Sequence, residues 1–173
     1  MKKTILSVVT CILLSGLIVA QEKYSVPVRT GDQKHARTLF QLYWSQAAAI
    51  SFAKEHGISP FEYGRYIGNL AAPTWGPGND YEALVKGIIY NVENFRHVSD
   101  AALDIKENED GSVIIIANDK MMHKYFPEGE GPASYEEYKE CMKGTFDPIA
   151  NHMGAAVSID TKDTLMIITI KKK

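Results

Sequence analysis

Cysteine is nearly absent. The sequence holds two, Cys11 and Cys141, and Cys11 falls inside an apolar N-terminal stretch that reads as a cleaved leader. A chain left with Cys141 alone can form no intramolecular disulfide, so its stability must come from packing. Paired metal-ligand spacings are missing too. There is no C-x-x-C, and the five histidines, at 35, 56, 97, 123 and 152, form neither H-x-x-x-H nor H-x-H. The short-range zinc signatures are thereby excluded, and we expect no metal and no cofactor. A phosphate-cradling glycine loop is lacking as well: Gly129-Glu130-Gly131 is acidic and precedes a proline, the wrong charge for the task.

Basic charge is not in excess. Formal net charge is −2 over the whole chain, from 19 basic and 21 acidic residues. Removing residues 1–20 takes away two lysines and no acid, which leaves 17 against 21, or −4. No basic stripe stands out, so nucleic acid is not an expected partner. Lys171-Lys172-Lys173 reads as solubilising cover for the edge of an apolar strand.

The clearest positive signal is at the N-terminus. Lys2 and Lys3 precede an uncharged apolar stretch, Thr4 to Ala20, and the chain turns polar at Gln21. That is the layout of a secretory signal peptide cut after Ala20, too short and wrongly flanked to be a stable membrane anchor. Cys11 follows Val8-Val9-Thr10, without the small residue a lipoprotein anchor wants, and is a passenger in the apolar region. The expectation is a secreted or periplasmic protein with one domain, residues 21–173.

Within that domain, hydrophobic spacing and capping residues mark the elements. Asp32 starts a helix to about His56, with the stripe Ala36, Phe40, Tyr43, Ala47 and Ile50 and Gly57 at its end. Ser59-Pro60-Phe61-Glu62 is a capping box with proline in the first turn. Gly64 and Gly68 share a face of the helix that follows, which points to the close approach of another helix ahead of a ligand lying against the bare backbone. A breaker-rich loop holds Trp75, as a plug of the helical layer ahead of a pocket-mouth residue. Asn79-Asp80 then caps a third helix with the stripe Tyr81, Leu84, Val85, Ile88, Val92 and Phe95.

The period changes near Asp100. Asn108-Glu109-Asp110-Gly111 is hairpin-turn chemistry ahead of Val113-Ile114-Ile115-Ile116, a run that suggests a strand covered on both faces. Asn118 to Ala133 reads as a polar surface loop containing His123, Tyr125 and Phe126. Ser134-Tyr135-Glu136-Glu137 starts the last helix. Pro148 should either kink it or, the preferred of the two readings, break it, with Asp147-Pro148 capping a second short helix that ends at Gly154. A final hairpin, Ala155–Ile159 and Thr164–Ile170, closes over residues 160–163 and repeats the doubly buried pattern. The sum is an α+β fold, a helical layer packed on a four-stranded antiparallel sheet made of two hairpins. Ser112–Ala117 and Thr164–Ile170 should be its inner strands. The sheet's second apolar face needs more helix or another subunit, which makes a homodimer an expected partnership.

This order of elements, with Tyr138-x-x-Cys141-x-x-Gly144-x-Phe146, Met153-Gly154 and the closing hairpin to Ile170, resembles the superfamily of vinyl-reductase-type and haem-NO-binding-like domains. The 2-amino-thiazoline-4-carboxylate hydrolase-like proteins look related to it. The resemblance implies a pocket between helices and sheet that holds an apolar or planar small molecule. The closing hairpin here lacks the cysteines that vinyl-reductase-type members carry.

Three functions follow from these residues. The first is binding of a small apolar or planar ligand, with Tyr43, Tyr63, Tyr66, Trp75 and Tyr81 as candidate binding residues, since such rings combine apolar bodies with hydrogen-bonding tips. The second is thiol-dependent hydrolysis of a small heterocycle or amide. Cys141 would be the nucleophile and His123 or His152 the base, although an unbroken helix would hold Cys141 and His152 about 16 Å apart at 1.5 Å per residue. The third is an interaction module that uses the exposed sheet face.

Overall fold

The computed structural model describes residues 29–96, 103–118, 126 and 131–173. The leader, the lead-in to residue 28, His97, His123 and Tyr125 lie outside these. Residues 1–34 form one unit and residues 35–173 another; of the first, only the start of a helix is described.

That helix, α1 (Gly31–Glu55), is opened by Thr30 rather than Asp32. The Gln33 amide donates to Thr30 Oγ1 at 3.2 Å and Gln33 Oε1 accepts from the Thr30 amide at 3.0 Å, a reciprocal cap. Its buried residues are Leu39, Tyr43, Ala47, Ile50 and Ala53. The apolar stripe therefore enters at Leu39, and Phe40 is turned outward, where it stacks on exposed Trp44. Gly57, at φ +75°, leaves the helix in the left-handed conformation that glycine adopts without penalty.

Helix α2 (Pro60–Ala71) carries the full capping box between Ser59 and Glu62 and runs into a 3-10 turn, Ala72–Trp75. Helix α3 (Tyr81–Asn94) is capped by Asp80 Oδ1, which accepts from the Ala83 amide, and buries Leu84, Ile88 and Val92. Strands β1 (Asp104–Glu107) and β2 (Val113–Asn118) form the first hairpin. Helix α4 (Tyr135–His152) then leads to the second, β3 (Ala155–Lys162) and β4 (Leu165–Lys172).

The fold is α+β. The four strands run antiparallel in the order β1-β2-β4-β3, so each hairpin contributes one inner strand. The register pairs Val113 with Ile170, Ile115 with Ile168 and Ala117 with Met166, and the helices cover the face that buries Ile115, Ile168 and Ile159.

Three local expectations are corrected. Helix α4 is continuous through Gly144 and Pro148. Glycine at the carbonyl four residues before the proline offers the least obstruction, and the ring packs on α2, where a Cβ on Gly68 would lie 2.5 Å from Pro148 Cγ. Among the described residues, the isoleucine-rich strands are fully buried on one face only. Burial alternates along β2, and Ile114, Ile116 and Ile167 are only half-buried. The second hairpin is longer than its apolar content suggested: Lys162 pairs with Leu165, and Asp163 takes the left-handed turn position at φ +55°.

Helices α2 and α4 cross with their backbones in contact. A Cβ on Gly64 would collide with the Cys141 carbonyl, and one on Gly144 with the Phe61 carbonyl. The predicted close approach is thus reciprocal. At the start of α4, Ser134 and Glu137 form another capping box, and Lys54 of α1 pairs with Glu137. Burial works to raise the Glu137 pKa, but the Lys54 ion pair and the Ser134 hydrogen bonds outweigh it and hold the carboxyl below its ordinary value.

Candidate functional site

Among the described residues, two hydrophobic clusters make the core. One lies between the sheet, α3 and the C-terminal half of α4, around Ile88, Ile115, Phe146, Met153 and Ile168. The other joins α1 to the N-terminal half of α4 through Tyr43, Ile50, Tyr135, Tyr138 and Phe126. Met142 packs against both.

Along this seam the packing is incomplete. A cavity of about 270 Å³ lies there, its wall drawn from α1, α2, α3, α4 and the ends of β2 and β4. Tyr43, Ile50, Tyr63 and Tyr138 face it from the helical cluster; Val92, Ala117, Phe146 and Met166 face it from the sheet cluster. Protein interiors are normally close-packed with few voids larger than a water molecule, so a space of this size at the meeting of six elements is a candidate ligand site.

Of the aromatic residues singled out in the sequence, Tyr43, Tyr63 and Trp75 are in the wall. Tyr43 is buried, and its hydroxyl donates to the Phe95 carbonyl at 2.8 Å. Its ring meets Phe126 and Tyr138 edge-on at 6.1 and 6.2 Å. Trp75 meets Phe146 at 6.3 Å and 84° and presses on bare Gly87, where a Cβ would lie 2.5 Å from its ring. It is thus both plug and wall.

Tyr66 and Tyr81 stand elsewhere. Tyr66 is 63% exposed, because it projects from the side of α2 opposite the Gly64–Gly68 contact. The Tyr81 hydroxyl donates towards the Gly111 and Ile170 carbonyls, 2.9 and 3.0 Å away. That pins α3 to the end of the sheet, outside the wall.

Cys141 and His152 are not brought together. With α4 unbroken, their separation of eleven positions amounts to about 16 Å of helix. His152 is engaged with the loop before α3: its Nε2–H donates to the Gly76 carbonyl at 2.9 Å, and its own carbonyl accepts from the Asn79 amide at 2.9 Å. Cys141 lies in the cavity wall and is buried. Burial pushes its thiol pKa up to about 11, against a smaller opposing effect of the Thr145 hydroxyl. At neutral pH it is a thiol, a poor nucleophile. Burial also raises the Tyr63 pKa, with Cys141 adding to the effect.

The wall residues not picked out in the sequence include Gln46, Asn91, Arg96 and Thr145. Gln46 follows Tyr43 by three and precedes Ile50 by four, so the helical period sets an amide in the apolar stripe of α1. Arg96 continues the four-residue spacing of Leu84, Ile88 and Val92. No family model matches this chain, and no curated protein matches it.

Proposed function

We propose that this chain is an exported protein that binds a small, largely apolar molecule in the cavity between its two core clusters. The observation that carries the proposal is the cavity itself, about 270 Å³ and lined mainly by aromatic and aliphatic side chains. An unfilled apolar space forfeits dispersion contacts along its whole lining. A natural ligand recovers them. Export rests on the charged start and apolar run of residues 2–20. The resemblance in element order to small-molecule-binding domains agrees with the pocket's place between helices and sheet.

Thiol hydrolysis is the weaker proposal. It needs a thiolate and a base within about 3 Å, whereas the Cys141 pKa is about 11 and His152 is bonded to Gly76.

The test is a thermal-melt screen of the purified protein against small planar and aliphatic compounds, run beside Ala117→Phe. Ala117 is buried in the cavity wall, and a phenyl group there occupies the ligand's space. Binders should raise the melting temperature of the wild type by several degrees and leave the variant's unchanged. Equal shifts in both proteins would place binding outside the cavity and refute the proposal.

A further inference from the structure

The cavity wall is apolar apart from a few groups, and two of these are unsatisfied. Arg96 follows the end of α3, where the backbone is held twice. The Phe95 carbonyl accepts from the Tyr43 hydroxyl at 2.8 Å, and His35 Nε2 lies 3.1 Å from the Arg96 carbonyl. The Arg96 side chain is 8% exposed. Its Nη1 donates to Glu93 Oε2 at 2.8 Å, on a carboxylate that is itself 60% exposed. Arg96 Nε and Nη2 are buried and have no hydrogen-bond partner among the described residues. Those two nitrogens share one edge of the planar guanidinium and present two parallel N–H groups, the fork that matches the two oxygens of a carboxylate. Gln46 Oε1, also in the wall, is likewise buried without a partner among the described residues.

Leaving buried donors of a charged group unmade is among the costlier things a fold can do, and here they share a cavity. A core arginine kept for packing alone would have its inner edge satisfied by a carbonyl or carboxylate of the chain. Resting on the proposal that the cavity is a ligand site, we infer that the ligand is a small organic carboxylate. Its two oxygens are gripped by the Nε–Nη2 edge of Arg96, its apolar body lies against the aromatic wall, and an N–H or O–H of it donates to Gln46 Oε1. The anion carries a single charge. Arg96 is the one charged residue in the described wall and already shares its charge with Glu93, so a dianionic phosphate would bring a second negative charge that nothing there offsets.

The test is calorimetric titration of the purified protein with 3-(4-hydroxyphenyl)propionate, its primary amide, and 4-ethylphenol. The three share one body and differ in the head group. The acid should bind about 10- to 100-fold more tightly than the other two, the range a hydrogen-bonded charge contributes. Arg96→Gln should bring the acid down to the amide's affinity and leave the amide unchanged. Arg96→Lys should recover only part of the loss, because an ammonium is a point charge without a fork. Gln46→Leu should weaken the acid but not 3-phenylpropionate, which lacks the hydroxyl. Arg96→Met should melt at or above the wild-type temperature in the absence of ligand. A steep fall would make Arg96 a structural residue and overturn the inference. Equal affinities for acid and amide would also overturn it while leaving the cavity's role intact, provided 4-ethylphenol binds. If none of the three binds, the cavity proposal fails with it.

Discussion

Gly144→Ala is expected to destabilise the protein by about 3 kcal/mol or more, the upper part of the range for overpacked cores. Helix propensity alone points the other way, since alanine is better than glycine mid-helix by roughly 0.5–1 kcal/mol. Contact decides. A Cβ at Gly144 would overlap the Phe61 carbonyl and lie 2.9 Å from the Arg65 amide nitrogen, and both are backbone atoms that cannot rotate away. Gly64 and Gly68 face the Cys141 and Thr145 carbonyls in the same manner, so the whole α2–α4 crossing would have to open. At about 2–4 °C per kcal/mol for a chain of this size, the melting temperature should fall by about 6–12 °C. Gly31→Ala, with nothing within 4 Å of the new Cβ, is the control and should be neutral or slightly stabilising. The crossing also sets Tyr63, Cys141 and Thr145 into the cavity wall, so Gly144→Ala should weaken ligand binding as well as stability.

Alkylation of Cys141 in the folded protein should be at least about 100-fold slower at pH 8 than in the unfolded chain. Burial shifts the thiol from 9.0 to about 11, two pH units, and each unit lowers the thiolate fraction tenfold well below the midpoint. Restricted access can only add to the protection, so the factor is a minimum. The rate should climb through a midpoint near pH 11, and a ligand in the cavity should slow it further. Stability has a matching pH dependence. The native state disfavours the thiolate, so this contribution is fully present below the unfolded thiol's pKa of about 9 and is lost as pH rises through about 11. Fast alkylation with a midpoint well below the unfolded thiol's value of about 9 would mean an activated nucleophile and revive the hydrolase proposal.

The helices and hairpins were legible in the sequence because their signals are local. Ser59 with Glu62, Ser134 with Glu137, and Gly57 after Glu55 each act within one turn. The Gly64–Gly68 face also announced a close helix neighbour, though not which one. What could not be read depends on contacts distant in sequence. Pro148 sits inside α4 because α2 offers it a glycine. Phe126, expected on a surface loop, is 1% exposed and stacked on Tyr138 at 4.6 Å. Tyr63 and Tyr66 looked alike as ring-bearing residues of one helix, and only the direction of the α4 contact separates wall from solvent. Gln46 and Arg96 did leave a trace, as polar residues in phase with the apolar stripes of α1 and α3. A polar residue at a stripe position is the sequence mark of a buried site.

The most direct test of ligand binding in the cavity is the fluorescence of Trp75. The chain has two tryptophans, and Trp44 is exposed on α1, so Trp44→Phe leaves the cavity residue as the sole reporter. Titration of that variant with 4-ethylphenol should give a saturable, one-to-one change in Trp75 emission that disappears when Ala117→Phe is added. A change that fails to saturate, or that persists in the filled variant, would contradict ligand binding between the two core clusters.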